Sequence, residues 1–277
     1  MTITLAHSRT HLHTHSRSHT RSRARDWAEI QERMLVPLYE AVYDRLGVGP
    51  GTRMLGLECG SGLALLMAAA RGAAVTGCEP DEQRLALARE RLLPEPQWGA
   101  PPSGRARTRL LLGTPDRLPR PAPAEPFNLV TALDPATDPG TLTPVLAAAA
   151  RLAQHGAPVV LAGWGPSERC ATGRVLRMAA RLTEPRVRLS GRDDLEELAH
   201  AAGLRPDGSG RVSCPFGYPD MDSAVRGLVS TGLFDAAVAA TGQEQVDKEL
   251  AEALHPYRRG DGTVRMDNVF RYLIARA

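Results

Sequence analysis

The sequence predicts an α/β protein with a largely parallel sheet that is covered by helices on both faces. Short apolar runs alternate with amphipathic helical stretches along most of the chain, as in βαβ units. The first run leads into a glycine-containing turn, LGLECGSG at residues 55–62, and the second ends at an acidic residue, Glu79. The chain has 277 residues, 43% of them apolar, which suffices for one large domain at residues 26–277.

The first element is predicted to be helical and to span residues 26–46. Asp26 is expected to cap its N-terminus, and Pro37 is expected to break or kink it. Apolar residues recur at helical spacing: Trp27, Ile30, Met34, Leu38, Val42 and Leu46. The pattern therefore predicts a helix in two pieces.

Five apolar runs are predicted strands, with amphipathic stretches between them. The predicted strands are residues 53–57, 73–78, 109–112, 127–133 and 158–162. The predicted helices are residues 61–71, 80–92 and 141–154. Residues 95–126 are rich in proline, so one helix that the alternation would place there is expected to be short or absent.

The alternation is less regular after Trp164. Residues 168–182 and 192–202 are predicted helices, whereas residues 211–215 and 266–277 are predicted strands. Residues 221–254 are mostly helical in pattern and do not fit a plain βα alternation. We interpret them as a helical insertion or lid.

Residues 1–25 are predicted to form a disordered tail. They carry five arginines and no acidic residue, in a chain whose net charge is only +3, and they have too little apolar surface to offset the entropy of ordering. His11, His13 and His15 alternate, which suits either metal ligands or a solvated low-complexity tail. The arginines could hold phosphates by charge, but nothing beside them would read bases. We therefore expect no nucleic-acid partner.

The composition bears on source and compartment. Lys248 is the single lysine among 34 basic residues, and the abundance of arginine and alanine is typical of a GC-rich, bacterial genome. The four cysteines form no CxxC pair or ligand-like cluster, so we predict free thiols and no metal site. No apolar run approaches the roughly 20 residues that cross a bilayer, and the N-terminus lacks a signal-peptide core. We expect a cytoplasmic protein without a membrane partner.

Four further motifs follow the glycine turn in a fixed order. They are VTGCEPDEQRLALARERL at residues 75–92, LLLGTPDRLP at 110–119, FNLVTALDPATDPG at 127–140 and HAAGL at 200–204. Together with the turn, they resemble the class I S-adenosylmethionine-dependent methyltransferases of small-molecule type over most of residues 30–277. The resemblance implies a Rossmann-like, doubly wound, mostly parallel seven-stranded sheet, S-adenosylmethionine as cofactor, and methyl transfer.

The resemblance assigns the cofactor to the glycine turn and to neighbouring strand ends. A turn without side chains lets backbone N–H groups and a helix N-terminus approach the amino-acid end of the cofactor. In this chain the turn residues are Gly60, Ser61 and Gly62. Glu79 either accepts the ribose hydroxyls or complements the N-terminus of the next helix. Pro80, which opens that helix, and Leu133, which ends the fourth strand, belong to the same predicted site.

Three positions depart from the family pattern. Gly56 stands where the first strand usually ends in an acid, and Glu58 stands where the turn usually has its first glycine. Thr114 replaces the acid that usually follows the third strand, although Asp116 lies two residues on; we assign both to the cofactor's adenine. Glu58 would either repel the carboxylate of the cofactor or, lying two residues after Gly56 on the same strand face, replace the missing acid.

The acceptor side is predicted from the loop after the fourth strand and from scattered aromatics. Asp134 would orient or deprotonate an acceptor, or is a turn residue before Pro135. His255 would be a second base or contact, or an ordinary surface or core histidine. The aromatics that would wall a substrate pocket, or belong to the core, are Tyr39, Tyr43, Trp164, Phe216 and Tyr218.

These features lead to a main hypothesis with alternatives. The loop LDPA is not the element that nucleic-acid and protein methyltransferases carry after the fourth strand, and residues 221–254 lie where small-molecule members build a lid. A small organic acceptor is therefore expected, by fold analogy. The alternatives are a catalytically inactive relative that serves as a regulatory or interaction module, and a fold recruited to another reaction such as cyclisation. The sequence predicts no oligomeric state.

Overall fold

The computed structural model of the protein describes residues 21–93, 107–118, 125–182, 191 and 193–277. The described residues form nine strands: β1 (Arg53–Leu57), β2 (Ala74–Glu79), β3 (Thr108–Leu112), β4 (Leu129–Ala132), β5 (Pro158–Trp164), β6 (Arg205–Ser213), β7 (Phe216–Tyr218), β8 (Val264–Met266) and β9 (Val269–Arg276). Seven of them build one sheet in the order β3-β2-β1-β4-β5-β9-β6, and β7 pairs with β8 separately. Only β9 runs antiparallel to its neighbours in the large sheet. The predicted fold class is confirmed.

The order of the strands reverses between β1 and β4. Strand β1 pairs with β2 on one side and with β4 on the other, and all three run parallel. Their carboxyl ends therefore meet at one edge of the sheet, and the helices that follow β1 and β4 leave in opposite directions. This switch point is where open α/β sheets hold their ligands.

Helices cover both faces of the sheet, as predicted. The described residues form α1 (Val36–Leu46), α2 (Leu63–Ala70), α3 (Glu82–Leu92), α4 (Pro139–Ala150), α5 (Ala171–Leu182), α6 (Asp194–Ala201), α7 (Met221–Val229), α8 (Asp235–Thr241) and α9 (Gln243–Leu254). Helices α1 and α2 bury Leu38 and Leu65 in one core cluster, and α4 and α6 bury Leu146 and Leu198 in another. The predicted insertion consists of α7 to α9, which pack on the first cluster. None of the described helices is long and apolar enough to cross a membrane.

The N-terminal segment, residues 21–35, is helical but irregular. Residues 21–26 are α-helical, Trp27–Gln31 form a π-helical turn, and Glu32–Leu35 form a 3₁₀ turn before α1. Pro37 lies in the first turn of α1, so the predicted interruption falls just ahead of it. Asp26 has helical backbone angles and makes no capping bond, so its predicted cap is wrong.

The helix at residues 21–26 begins inside the predicted tail. Ala24 is 3% exposed and Arg23 forms an ion pair with Asp235, at 2.5 Å between Nη2 and Oδ1. The helical chain thus starts before the predicted boundary at Arg25. The rest of the predicted tail, including the alternating histidines, lies outside the described residues, as do residues 94–106 and 119–124 of the proline-rich stretch.

The strand predicted at residues 211–215 begins earlier and is longer. Strand β6 pairs with β9 along residues 205–213, with an irregularity between Pro206 and Gly208. A side chain at Gly210 would overlap the ring of Tyr272 on β9. Proline and glycine break the alternation that identifies a strand, which is why the sequence pattern missed its first half.

Candidate functional site

The turn between β1 and α2 has the backbone shape that the sequence predicts. Gly60 and Gly62 have φ of +57° and +79°, the left-handed region that glycine adopts without strain. A Cβ on Gly62 would lie 2.9 Å from Cδ1 of Leu92 on α3. Because Gly62 has no side chain, the turn can lie close to α3. Ser61, between the two glycines, is buried.

Glu58 has a left-handed backbone conformation, with φ of +47°. Among the described residues no other non-glycine residue has a positive φ. Such a conformation is strained for a residue with a side chain. Oε2 of Glu58 accepts a hydrogen bond from Oγ1 of Thr137, at 2.6 Å, in the loop after β4. Burial raises the pKa of the Glu58 carboxyl, against the opposing effect of the Thr137 bond.

An acid at Gly56, where the family pattern has one, would require the side chain of Leu65 to move. A Cβ on Gly56 would lie 2.8 Å from Cδ2 of Leu65, a buried residue of α2. The side chain of Leu65 thus lies against the strand where a carboxylate would project. The Glu58 carboxylate is directed to Thr137 in the loop after β4. Whether Glu58 obstructs a ligand or contacts it stays a prediction.

Glu79 joins the turn after β1 to the start of α3. It is 3% exposed, and its two carboxylate oxygens accept backbone hydrogen bonds from Gly60 (2.7 Å) and Asp81 (2.9 Å). Burial raises the pKa of Glu79 to about 7, despite those bonds and the nearby Arg84. The exposed Pro80 follows it, and Asp81 caps α3. Glu79 therefore joins the turn to the residue that caps α3. Its contact with ribose and its effect on the helix N-terminus both stay predictions.

The side chain of Glu32, in the N-terminal segment, packs against the glycine turn. It is 2% exposed, and its carboxylate accepts hydrogen bonds from the hydroxyl of Ser61 and from the backbone N–H of Leu63, at 3.3 Å. Nη1 of Arg91 on α3 forms an ion pair with it at 2.8 Å. Burial raises the pKa of Glu32, whereas the bonds from Ser61 and Arg91 lower it. The N-terminus of α2 thus already holds an anion, which belongs to the chain itself.

Trp27 lies beside Glu32 against the same turn. A Cβ on Gly60 would lie 2.9 Å from Nε1 of Trp27 and 3.2 Å from Oε1 of Glu32. Glycine at this position therefore lets the N-terminal segment approach. The Nε1–H group of Trp27 is the one buried side-chain polar group without a hydrogen-bond partner in the described part of the chain, and such a group carries a desolvation cost.

Arg84 connects Trp27 to the loop after β4. Its guanidinium lies over the Trp27 ring, 4.5 Å from the ring centre, and its Nη1 is 3.6 Å from Oδ2 of Asp134. Its Nη2 also donates to the carbonyl oxygen of Ser230 in the insertion, at 3.1 Å. Arg84 and Arg91 share one face of α3, so both point toward the N-terminal segment.

The free space between these groups is very small. The cavity at the ends of β1 and β4 has a volume of about 20 Å³, close to that of one water molecule. Its lining residues come from the N-terminal segment, α1, the turn and the two strand ends, and include Trp27, Glu32, Tyr39, Glu58, Gly60, Leu133 and Asp134. Pockets for nucleoside-sized ligands measure about 300–1,000 Å³. The enclosed space between these groups is therefore too small by itself for S-adenosylmethionine.

Asp134 faces this cavity but is held as a turn residue. Its Oδ1 accepts the backbone N–H of Ala136 at 2.9 Å, and its side chain is 11% exposed. Burial raises the pKa of Asp134, and Arg84 opposes that rise. The turn role is the alternative we gave for it, while a role toward an acceptor stays a prediction.

The remaining predicted residues lie apart from the cavity. His255 is exposed and borders a shallow depression with Lys248 and Arg258, so the structure does not bring it together with Asp134. Thr114 donates a hydrogen bond to Asp116 beyond the end of β3. That pair is exposed, and it contacts none of the turn residues through a hydrogen bond of the described chain.

Four of the five predicted substrate-pocket aromatics are core residues. Tyr43 is buried and donates to the carbonyl oxygen of Ala64 at 2.8 Å. Trp164, Phe216 and Tyr218 are buried, and the Phe216 ring makes edge-to-face contacts with the rings of Trp164 and Tyr218, at centroid distances of 6.2 Å and 6.4 Å. Burial in the first core cluster is the alternative we gave for them, and a contact with substrate stays a prediction. Only Tyr39 of the five lines the cavity among the described residues.

The sequence interpretation missed Trp27, Glu32, Arg84 and Arg91 as parts of the site. Glu32 lies three residues before the buried Leu35, on the buried face of the helical segment. A lone acid at such a position calls for a partner. Arg84 and Arg91, on one face of α3, could have been proposed as its partners from the sequence. This was the available signal.

No family model matches the sequence, and no curated protein matches it either. Solved structures do resemble it. A candidate methyltransferase of Bacillus halodurans has 14% identity and a TM-score of 0.54, and the match covers 85% of this chain and 97% of that one. The [4+2]-cyclase SpnF has 17% identity and a TM-score of 0.52, with coverages of 86% and 79%.

A third structure links the fold to the cofactor. Geranyl diphosphate C-methyltransferase of Streptomyces coelicolor, solved with S-adenosyl-L-homocysteine, has 15% identity and a TM-score of 0.50, with coverages of 87% and 75%. S-adenosyl compounds thus bind this fold in that neighbour. The strand order, the antiparallel β9 and these likenesses agree. The chain has the fold of the class I S-adenosylmethionine-dependent methyltransferases.

Proposed function

We propose that this protein is an S-adenosylmethionine-dependent methyltransferase that acts on a small organic acceptor. The observation that carries the proposal is the position of the Gly60–Gly62 turn and of Glu79, joined at 2.7 Å, at the switch point between β1 and β4. Backbone N–H groups, a helix N-terminus and a strand-end carboxylate meet there, which is the equipment for a nucleoside with a charged amino-acid end.

The acceptor would reach the site from the side of α1 and the loop after β4. Tyr39, Leu133 and Asp134 line the cavity on that side. Asp134 is already hydrogen-bonded to Ala136, so we assign it to positioning an acceptor and not to free proton transfer. The insertion α7–α9 packs on the same core cluster as Tyr39, and Arg84 joins its Ser230 carbonyl to Asp134. A lid at this place supports a small acceptor, by fold analogy.

A second function is favoured by a specific observation. The free volume of about 20 Å³ and the anion already present at the N-terminus of α2 favour a methyltransferase fold that works without cofactor, as a regulatory or interaction module. The cofactor requires the N-terminal segment to move first. The two functions therefore differ in whether any S-adenosyl compound enters the full-length chain.

Isothermal titration of the full chain with S-adenosylmethionine, and separately with S-adenosylhomocysteine, tests the proposal. The methyltransferase predicts saturable binding of both compounds in the micromolar range, with competition between them. Absence of binding at millimolar ligand, both in the full chain and in variants of the N-terminal segment, would overturn it in favour of the module. Adenosine serves as control, because it lacks the charged amino-acid end.

A further inference from the structure

We propose that residues 27–32 are a displaceable plug of the cofactor site, in which the carboxylate of Glu32 is an internal competitor for the anionic end of the ligand. The inference rests on the proposed function, since it concerns the same site. It follows from the disagreement between a complete methyltransferase fold and a cavity of about 20 Å³. The plug is built from residues of this chain that lie outside the family's motifs.

Glu32 has the contacts that a bound carboxylate would make. It accepts from the N–H of Leu63, the first residue of α2, and from the hydroxyl of Ser61 in the turn. Its charge is balanced by Arg91, whose Nη1 also donates to the carbonyl oxygen of Ser61 at 3.0 Å. An anion held by a helix N-terminus, a hydroxyl and an arginine is a ligand-like arrangement. A ligand with its own carboxylate must displace Glu32 from it.

Trp27 provides a second, independent observation at the same turn. Its indole is 3% exposed and lies against Gly60, where any side chain would collide with Nε1. Yet Nε1–H has no acceptor. A buried N–H donor that points into a polar turn and has no acceptor indicates that the indole blocks the turn by its bulk and not by a hydrogen bond. It would gain a hydrogen bond with water on leaving.

The segment is attached in a way that permits release. It changes from α-helix to a π turn and then to a 3₁₀ turn within residues 21–35, and such irregular turns mark positions where a helix can shift. Beyond it, Leu35 and Leu38 anchor α1 in the core. We place the hinge in the 3₁₀ turn after Glu32, at Arg33 and Met34, so that the plug can leave while Leu35 and α1 stay.

Arg84 acts as a latch between the plug and the rest of the site. It contacts the Trp27 ring, Asp134 and the carbonyl oxygen of Ser230 at the same time. These three partners belong to the plug, the loop after β4 and the end of α7. A ligand that engages the loop after β4 would therefore weaken the hold on Trp27. The acceptor side and the cofactor side are coupled through this one guanidinium.

The plug has a quantitative consequence for ligand binding. If only a fraction of molecules has an open site, the apparent dissociation constant equals the intrinsic one divided by that fraction. Weakening the plug raises the fraction and tightens binding, although it removes contacts from the folded protein. A residue that only supported the fold would have the opposite effect or none.

The experiment compares the full chain with two plug variants and a matched control. The variants are Glu32→Gln and the double variant Trp27→Ala/Glu32→Ala; the control is Glu29→Gln, which neutralises an exposed carboxylate of the same segment. S-adenosylhomocysteine is titrated into each, and hydrogen exchange of the peptide covering residues 58–66 is followed without ligand. We expect at least tenfold tighter binding and at least tenfold faster exchange in the double variant, a smaller change in Glu32→Gln, and none in the control.

The outcomes separate the plug from the proposed function. Equal affinity in the full chain and the double variant, with both folded, would overturn the plug and leave the methyltransferase proposal standing. No binding by any variant would overturn the methyltransferase proposal, and the exchange rate alone would then decide whether residues 27–32 close the turn. Unchanged exchange in the double variant would refute the plug whatever the ligand does. A cooperative unfolding transition in each variant verifies folding.

Discussion

Glu58 combines a strained backbone with a side chain that bridges two strand ends. Its left-handed conformation, φ +47°, is one that glycine adopts freely, and its carboxylate is held by Thr137 at 2.6 Å. The turn therefore has at this position a backbone shape typical of glycine, although the residue carries a side chain. Persistence of strain at a site of this kind indicates that the surrounding structure fixes the turn firmly.

The strain at Glu58 predicts an unusual order of stabilities. Glu58→Ala and Glu58→Gly both lose the Thr137 bond, but only glycine relaxes in the left-handed region. We expect Glu58→Gly to be more stable than Glu58→Ala by about 1 kcal/mol, although alanine is usually the more stable residue. Urea unfolding of the two variants measures the difference. Equal stabilities, or a more stable alanine variant, would mean that φ at this position is not strained.

Glu79 predicts a pH dependence of stability. Its folded pKa of about 7 lies above the ordinary value of 4.5. The folded state therefore binds the Glu79 proton more tightly than the unfolded state does. The contribution of Glu79 to the free energy of unfolding is fully present below pH 4.5 and is lost as the pH rises through about 7. The shift corresponds to a loss on the order of 3 kcal/mol. Glu32, Glu58 and Asp134, whose pKa values are also raised, act in the same direction.

The measurement is the free energy of unfolding at pH 5 and pH 8 for the full chain and for Glu79→Gln. We expect the full chain to be less stable at pH 8, and the variant to lose a large part of that difference. Glu29→Gln, at an exposed position, should behave like the full chain. A full chain whose stability rises from pH 5 to pH 8, with the variant rising in parallel, would contradict the assignment.

At the scale of elements, the sheet was predictable where burial determines the sequence pattern. Strand β1 is correct to the residue, since an uncharged run at residues 54–57 follows Arg53 and lies between glycine-containing turns. Strand β6 was half missed, because Pro206, Gly208 and Gly210 interrupt its alternation. The two-stranded sheet of β7 and β8 was not predicted, since strands of three residues carry too little periodicity.

The candidate site was predictable only in its backbone. The turn, Glu79 and the strand ends follow from local motifs, and they lie together as expected. Glu32 and Trp27 reach the turn through a packing contact of residues about thirty positions away in the chain, and no local motif encodes such a contact. The π turn at Trp27–Gln31 also shifts the buried face, so that Gln31 and Glu32 are buried while the predicted Ile30 is only partly so.

Gly210 and Gly208 offer a matched test of how β6 packs on β9. An added Cβ at Gly210 would overlap the Tyr272 ring, whereas one at Gly208 would meet nothing within 4 Å. We expect Gly210→Ala to lower the free energy of unfolding by about 1–3 kcal/mol, and Gly208→Ala to leave it nearly unchanged. Guanidinium unfolding compares them. Two variants of equal stability would show that the tyrosine ring moves aside without cost.

At the scale of the whole molecule, the N-terminal segment joins parts that are distant in the chain. Glu32 in residues 21–35 contacts the turn after β1 and Arg91 of α3, and Arg23 contacts Asp235 of the insertion. Tyr218 of β7 donates to Gln31 at 2.9 Å, and both side chains are buried. The segment therefore belongs to the folded domain, and the boundary of the tail can be located by truncation.

Removing residues 1–20 should leave the thermal midpoint unchanged, because the composition of that stretch gives it nothing to bury. Removing residues 1–25 should lower it, since the buried Ala24 and the Arg23–Asp235 ion pair are lost. An exposed pair contributes at most about 1 kcal/mol, so with Ala24 the loss is about 1–2 kcal/mol, or about 2–8 °C. Calorimetry of both truncated chains beside the full chain measures this.

A large drop on removing residues 1–20 would mean that the His/Arg-rich stretch is part of the fold. An unchanged midpoint on removing residues 1–25 would instead place the boundary of the domain at Asp26.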